Sequence, residues 1–492
     1  MNKSFKILLL SLLSASFCNL TSGIPLSKND TARHSIDSAV ILFHLPQREL
    51  IHFFYQDDYN TPSRASQYTD ESGFLRIALY VSHNLTITFT NGMTMYPVLV
   101  IPGDSLTVRK TYQNDQSNYE FRSNKHVYAN FLNEVERAYG FFWGSLQLSP
   151  GMNTAYYRKE VKKLNAQRLA LLKQYERADT LGCNLATYLQ RELKSRYIMD
   201  LCAPYHTRDF NYQEKVPREY TIELDTLMNE LNCDTCVTSM RYRLAIRNYL
   251  LYLSRDSLYG NNEFSTVFRN AYSRFTGNSR DVALFITMQN YIEKDHSAVL
   301  SHLPDFDAKC KNAGYKNFID SLALRESMLV DSTEGSNSLL TDSEGITHPF
   351  KSILSAHKGK VVLLDFWASW CAPCRAETPH MKSLVEKYSK EELAVIFISI
   401  DEKSDKWAAA IEQLGLKTAG NHYLLDAKQP LSRLVGIPPI PRYILIDQAG
   451  RIVALNAPRP SEPVLNVRIE KLLRDNAAKT AKVEQGSHLI VK

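Results

Sequence analysis

Three hydrophobic rhythms follow one another along the chain. Between about residues 27 and 125 the apolar positions come in short runs rich in β-branched and aromatic side chains: Ala39–His44, Leu85–Thr90, Tyr96–Ile101 and Leu106–Lys110. Turn-forming clusters separate them, at Asp70–Gly73, Asn91-Gly92 and Pro102–Asp104. Short runs bounded in this way predict strands, and 27–125 reads as a small antiparallel sandwich or barrel. From about 126 to 330 the period lengthens. Leu185, Leu189, Leu193, Tyr197 and Leu201 recur every four residues, and Tyr242, Ile246, Tyr249, Leu250 and Leu253 keep helical spacing, as do Val282, Phe285, Met288 and Ile292. Polar residues occupy the remaining faces, which predicts amphipathic helices with aromatic stripes as their core.

The polar, turn-forming run 331–338 (DSTEGSNS) reads as a linker. Beyond it strand and helix patterns alternate. Strands are predicted at Val361–Trp367, Leu393–Ile400, His422–Leu425, Tyr443–Asp447 and Ile452–Leu455, and helices at 372–390, Lys406–Leu414 and Glu462–Arg474. This is an α/β domain over 339–476, followed by a loosely attached tail at 477–492. The whole is a multidomain chain.

Composition changes this picture little. At 492 residues with 44% hydrophobic and 22% charged residues, the chain is long enough for several ordinary cores. The net charge of +6 comes without a dense basic run or aromatic–basic alternation, so no nucleic-acid partner is expected. The first residues say more. A basic segment ending at Lys6, an apolar stretch Ile7–Leu13, and small residues at Ser14, Ala15, Ser16, Ser22 and Gly23 have the layout of a signal peptide over 1–23. The apolar stretch is short of the about 20 residues a membrane span needs. Export to the periplasm or cell envelope is therefore expected. Lipid anchoring at Cys18 is not, because the bulky Phe17 precedes it. Of the eight cysteines, seven remain after Cys18. At least one of them must be free or pair outside the chain.

Candidate chemistry centres on FWASWCAPCRAE, residues 366–377. A zinc site needs four ligands. The other close pair, Cys233 and Cys236, lies in the helical region without a matching histidine spacing, so no metal is expected. A static bridge would not require its cysteines at the end of a strand opening a helix. A redox pair would, since free N–H groups and the helix dipole favour a thiolate there. Cys371 is then the exposed nucleophile and Cys374, one turn on, the buried resolving thiol. Pro373 fits the first turn. Asp365, six residues earlier on the apolar strand, is placed to take the proton from Cys374, and Glu377, one turn beyond it, to assist or tune. The stretch Gly436–Pro441 ahead of a strand makes Ile440–Pro441 a candidate cis peptide that shapes a groove for an extended client.

With these residues assembled, GKVVLLDFWASWCAPCRAETP resembles the active-site segment of the TlpA/ResA-like thiol–disulfide oxidoreductases of the thioredoxin superfamily, over roughly 340–475. The resemblance implies a thioredoxin-like fold with Cys371 and Cys374 as its redox centre, Asp365 as the buried acid, Glu377 as the acid of the TlpA/ResA branch, and Pro379 as the helix-kinking proline. It implies that Trp370, Ile440 and Pro441 border the client; Arg442, next in the chain, is expected to border it too, as a cation that favours the thiolate or an acidic client segment. It implies no cofactor beyond the redox-active disulfide, disulfide-containing client proteins, and a membrane thiol donor; some relatives serve cytochrome c maturation. Pro439 stands where relatives often have glycine, and Arg442 where thioredoxin has a small polar residue. Ala368 replaces the threonine that peroxiredoxins need. PVLVIPGDSLTV (97–108) resembles a β-rich domain that precedes TlpA-like domains in bacteria. The competing reading makes the front half a binding or scaffolding module, with the last domain a sensor or anchor. Cys233–Cys236 is open between a structural bridge, two incidental thiols and an electron relay.

Overall fold

The computed structural model describes residues 37–56, 62–81, 83–91, 94–113, 116–140, 153–179, 185–205, 218–255, 263–331, 337–426, 428–434 and 439–474. The expected signal peptide, the C-terminal tail and residues 332–336 of the linker lie outside them. Among the described residues, one compact unit comprises 37–255 with 270–283, and the other 263–269 with 284–474.

The first unit begins with eight strands: β1 (Asp37–His44), β2 (Leu50–Gln56), β3 (Pro62–Tyr68), β4 (Phe74–Val81), β5 (Leu85–Asn91), β6 (Thr94–Val100), β7 (Ser105–Gln113) and β8 (Gln116–Ser123). They form two four-stranded sheets, β4-β1-β7-β8 and β3-β2-β5-β6. Ile41, Phe43, Ile51, Phe89, Val98, Val108 and Phe121 from both sheets share one core, so this is a sandwich. It is not wholly antiparallel, as expected above: β1 and β7 run parallel, from Val40 opposite Ser105 to His44 opposite Arg109. No hairpin joins strands this far apart in sequence, so nothing forces the antiparallel sense.

Helices α1 (Phe131–Tyr139), α2 (Thr154–Ala178), α3 (Leu185–Cys202), α4 (Arg218–Met228) and α5 (Met240–Leu253) follow. Leu185, Leu189 and Leu193 of α3 pack with Phe131, Leu132 and Val135 of α1 and with Leu99 of β6. The four-residue leucine spacing thus marks a buried face. Helices α6 (Glu263–Arg274), α7 (Gly277–Tyr291), α8 (His296–Lys309) and α9 (Ala313–Asp331) complete the helical stretch.

That stretch, expected as one domain over 126–330, is shared between the two units, with α8 and α9 falling in the second. The physical reason lies in the turn after α7. The backbone N–H of Asn456 donates to the Glu293 carbonyl at 2.8 Å, and the Glu293 carboxylate pairs with Arg442 at 3.5 Å. Arg468 also donates to the Lys294 carbonyl.

The rest of the second unit is β9 (Leu339–Asp342), β10 (Thr347–Pro349), α10 (Phe350–Ser355), β11 (Val361–Trp367), α11 (Ala372–Lys387), β12 (Leu393–Ser399), α12 (Ser404–Gln413), β13 (Asn421–Leu425), α13 (Pro430–Leu434), β14 (Arg442–Ile446), β15 (Ile452–Ala454) and helix α14 over 463–474. The strands make one sheet, β10-β9-β13-β12-β11-β14-β15. The central β11 and β12 are parallel and buried throughout, as expected for strands covered on both faces. Side-chain alternation divides them cleanly. Leu363, Trp367, Val395 and Phe397 face α11, α12 and α14, in a cluster with Met381, Trp407 and Leu465. Val362, Leu364, Phe366, Ile396 and Ile398 face Phe350 and Ile353 of α10 and Leu431 of α13. The C-terminal domain has the thioredoxin-like architecture, preceded by a β sandwich and a helical region.

Candidate active site

The strand β11 delivers the chain to the site. Its last carbonyl, on Trp367, accepts the backbone N–H of Ile400 at 3.0 Å, which carries the pairing one step past β12. The chain then turns, with Cys371 N–H donating to the Ala368 carbonyl at 3.1 Å, and Cys371 caps α11. Its sulfur accepts the backbone N–H of Cys374 at 3.2 Å. This is the donor that a thiolate at a helix start uses. Pro373 sits in the first turn and Pro379 inside the helix. The two sulfurs are bonded as a disulfide, with Cα atoms 5.3 Å apart.

The expected contrast between an exposed Cys371 and a buried Cys374 does not hold in this oxidised form. The two residues are 5% and 6% exposed. Both belong to the apolar cluster under α11. The exposed neighbour is Trp370, at 66%.

Beneath the disulfide lie three buried ionisable groups. Asp365 shares a sheet face with Leu363 and Trp367, the face of the cysteines. Its Oδ1 has no hydrogen-bond partner. Burial, reinforced by the negative charge of Glu377, pushes its carboxyl up to about 8. Glu377, buried on α11, accepts the backbone N–H of Ser461 at 3.0 Å and the Ser461 hydroxyl at 2.9 Å. The Arg459 guanidinium stands 3.9 Å from it. Tyr443 is opposite Asp365 in the β11–β14 register. Its hydroxyl is buried and unpartnered, and burial followed by the charges of Asp365 and Glu377 raises it far above the usual phenol range.

The loop before Cys371 is held by a residue that sequence reasoning missed. Buried Asp401 accepts the backbone N–H of Ser369 at 2.8 Å and its hydroxyl at 2.6 Å, and the hydroxyl of Ser399 at 2.7 Å. The available signal was a Ser-x-Asp step just past the carboxyl end of a parallel strand, where α/β sheets place their sites.

Ile440–Pro441 is cis, and Ile440 packs against the cluster that holds the cysteines. Arg442 departs from expectation. It pairs with Phe366 in register and so stands on the opposite face from Asp365 and Tyr443. Its guanidinium is engaged by Glu293. The structure therefore brings together Cys371, Cys374, Asp365, Glu377 and Ile440, sets Trp370 in solvent beside them, and turns Arg442 away. Among the described residues no three metal-ligating side chains cluster, and no helix is long and apolar enough to cross a membrane.

A family model described as Redoxin matches residues 340–469, which lie within the second unit. Thiol-disulfide oxidoreductase ResA of a Bacillus cereus strain is 30% identical over 144 residues, covering 29% of this chain and 79% of that protein. The chain belongs to the TlpA/ResA-like thiol–disulfide oxidoreductases of the thioredoxin superfamily. The ResA of Bacillus anthracis is 34% identical over 120 residues, 24% of this chain, and the chain spans 65% of that relative's length. Among solved structures, the thioredoxin domain of a thiol-disulfide oxidoreductase from Bacteroides vulgatus is 28% identical, covering 27% of this chain and 91% of that one, with a TM-score of 0.24.

Proposed function

We propose that the protein is an exported thiol–disulfide oxidoreductase that reduces or isomerises disulfides of client proteins in the periplasm or cell envelope. The observation that carries the reading is a Cys-x-x-Cys disulfide capping α11 above a buried carboxyl, Asp365, that has an unpartnered oxygen and a proton affinity near neutrality. A base poised near working pH exchanges protons most effectively.

In the reduced protein the Cys371 thiolate, favoured by the helix start, attacks a client disulfide. One client sulfur leaves as a thiolate and the other is held in a mixed disulfide. The Cys374 thiol passes its proton to the Asp365 carboxylate, and the new thiolate attacks the Cys371 sulfur. The second client sulfur leaves and takes up a proton. Client and enzyme have exchanged two electrons and, by way of Asp365, the one proton of Cys374, and the site is the disulfide described here. A membrane thiol donor then restores the dithiol. Exposed Trp370 and the Ile440–Pro441 segment flank the sulfurs where a client would lie.

A Cys374→Ser variant accumulates covalent adducts with insulin through Cys371, detected by non-reducing mass analysis. Absence of adducts together with absence of insulin reduction by the native protein overturns the enzyme reading. Direction is tested by the reduction potential. A value near the about −270 mV of thioredoxin supports a reductase, and one near the about −120 mV of strong oxidants overturns it.

A further inference from the structure

The first unit holds a second Cys-x-x-Cys disulfide, between Cys233 and Cys236, which the catalytic scheme leaves unused. We propose that this pair is a second redox couple, exchanging two electrons with the Cys371–Cys374 couple of another copy of the chain by thiol–disulfide exchange. The proposal rests on the oxidoreductase reading of that site.

A structural role has little to add at this position. Stabilisation by a bridge grows with the length of loop it closes, and three residues is nearly the shortest separation. The turn is already fixed without the sulfurs. Cys236 N–H donates to the Cys233 carbonyl at 2.9 Å, and Ser239 N–H to the Cys236 carbonyl at 2.9 Å. Asp234 accepts the Ser279 backbone N–H at 3.0 Å and its hydroxyl at 3.2 Å, so it caps the first turn of α7. Asn232 accepts the Thr276 N–H at 2.8 Å. On the other side Ser239 caps α5. The backbone of the turn is thus held by hydrogen bonds that do not involve the sulfurs.

The two sulfurs are also unequal, as attack requires. Cys236 is 8% exposed and Cys233 is half-buried. Arg191 Nη1 donates to Thr235 Oγ1 at 3.0 Å, which leaves the Thr235 hydroxyl hydrogen to point at Cys233 Sγ, 3.5 Å away. A cation relayed through a hydroxyl onto one sulfur favours a thiolate there. An incoming Cys371 thiolate attacks Cys233 Sγ, and Cys236 leaves as a thiolate and takes a proton. Cys374, its proton passed to Asp365, attacks Cys371 Sγ. Cys233 leaves and is protonated. One disulfide is consumed and one is formed.

The test mixes two full-length variants, oxidised Cys371→Ser/Cys374→Ser and reduced Cys233→Ser/Cys236→Ser, then alkylates and maps thiols by mass. Expected is labelling of Cys233 and Cys236 matched by loss of label at Cys371 and Cys374. If the 233–236 bridge persists while the same reduced variant still reduces insulin, the proposal fails and the oxidoreductase reading stands. If insulin is not reduced either, both fail. Adding Thr235→Val to the acceptor variant should slow the second step, in which Cys233 leaves as a thiolate, about fivefold. An unchanged rate of that step overturns Cys233 as the sulfur carried in the mixed disulfide.

Discussion

The two disulfides of this protein are nearly the same object covalently. Both join cysteines three residues apart, with Cα atoms separated by 5.3 Å in each case. Their surroundings differ. Cys371–Cys374 caps a 16-residue helix, over a buried carboxyl with an unpartnered oxygen. Cys233–Cys236 sits in a turn whose own carboxylate, Asp234, is engaged by α7, and its polar support comes from exposed Thr235 and Arg191. Spacing alone says that sulfurs can exchange. Proton handling and burial decide how fast, and these come from residues as near as Asp365 and as distant as Ser461.

Substitutions can break this comparison, the largest effect first. Cys371→Ser should lower insulin reduction to the uncatalysed level, while Cys233→Ser/Cys236→Ser leaves it within about twofold. Equal losses would erase the distinction between the pairs.

Asp365→Asn should slow resolution of the mixed disulfide by about 100-fold, measured in single-turnover release of client. In the native protein this rate rises with pH through about 8, because the carboxylate is the form that accepts the Cys374 proton. In the variant that dependence is lost. The same substitution should stabilise the oxidised protein at pH 9, by on the order of 2–5 kcal/mol, and not at pH 3. The sign follows from the raised pKa: between about 4 and about 8 the folded state holds a proton that the unfolded state has lost, so native stability falls as pH rises across that window.

Asp401→Asn should destabilise the domain by about 1–3 kcal/mol in denaturant titration, because Ser369 loses its charged acceptor. It should leave the 233–236 bridge untouched. Glu377→Gln removes the charge that raises Asp365, so the pH midpoint of resolution moves down. The smallest effect is Glu293→Gln, at most about 1 kcal/mol, since its pair with Arg442 is 3.5 Å long and partly solvated.

What could be read from the chain alone was what is local. Strand, turn and helix around Cys371 are continuous in sequence, so Asp365, Cys374 and Glu377 could be placed by periodicity. The cis peptide announced itself by its proline. Asp401 and Ser461 could not be found in that way, because they reach the site from 32 and 84 residues beyond their partners. Arg442 was misjudged by one step of alternation: Tyr443 stands on the face of Asp365, and Arg442 beside it turns to the other. Four strands of the sandwich were missed: β3 and β8, at sheet edges, carry polar residues, PSRASQY and QSNYEFRS, that leave no apolar run, whereas β2 and β4, LIHFFYQ and FLRIALYV, do carry apolar runs and were passed over.

The grip of Ser461 on Glu377 sets the boundaries of the smallest fragment worth making. Both cysteines, their strand and their helix are complete by residue 387, yet a piece cut there would expose Glu377 to water and strip the apolar lid that Leu465 and Ile469 provide. At the other end Ser338 is indispensable, since its hydroxyl and carbonyl anchor Leu431 and Phe350. Any excised version that keeps the site's acidity must therefore run from Ser338 to the end of α14, and a shorter one would retain the sulfurs while losing control of the proton.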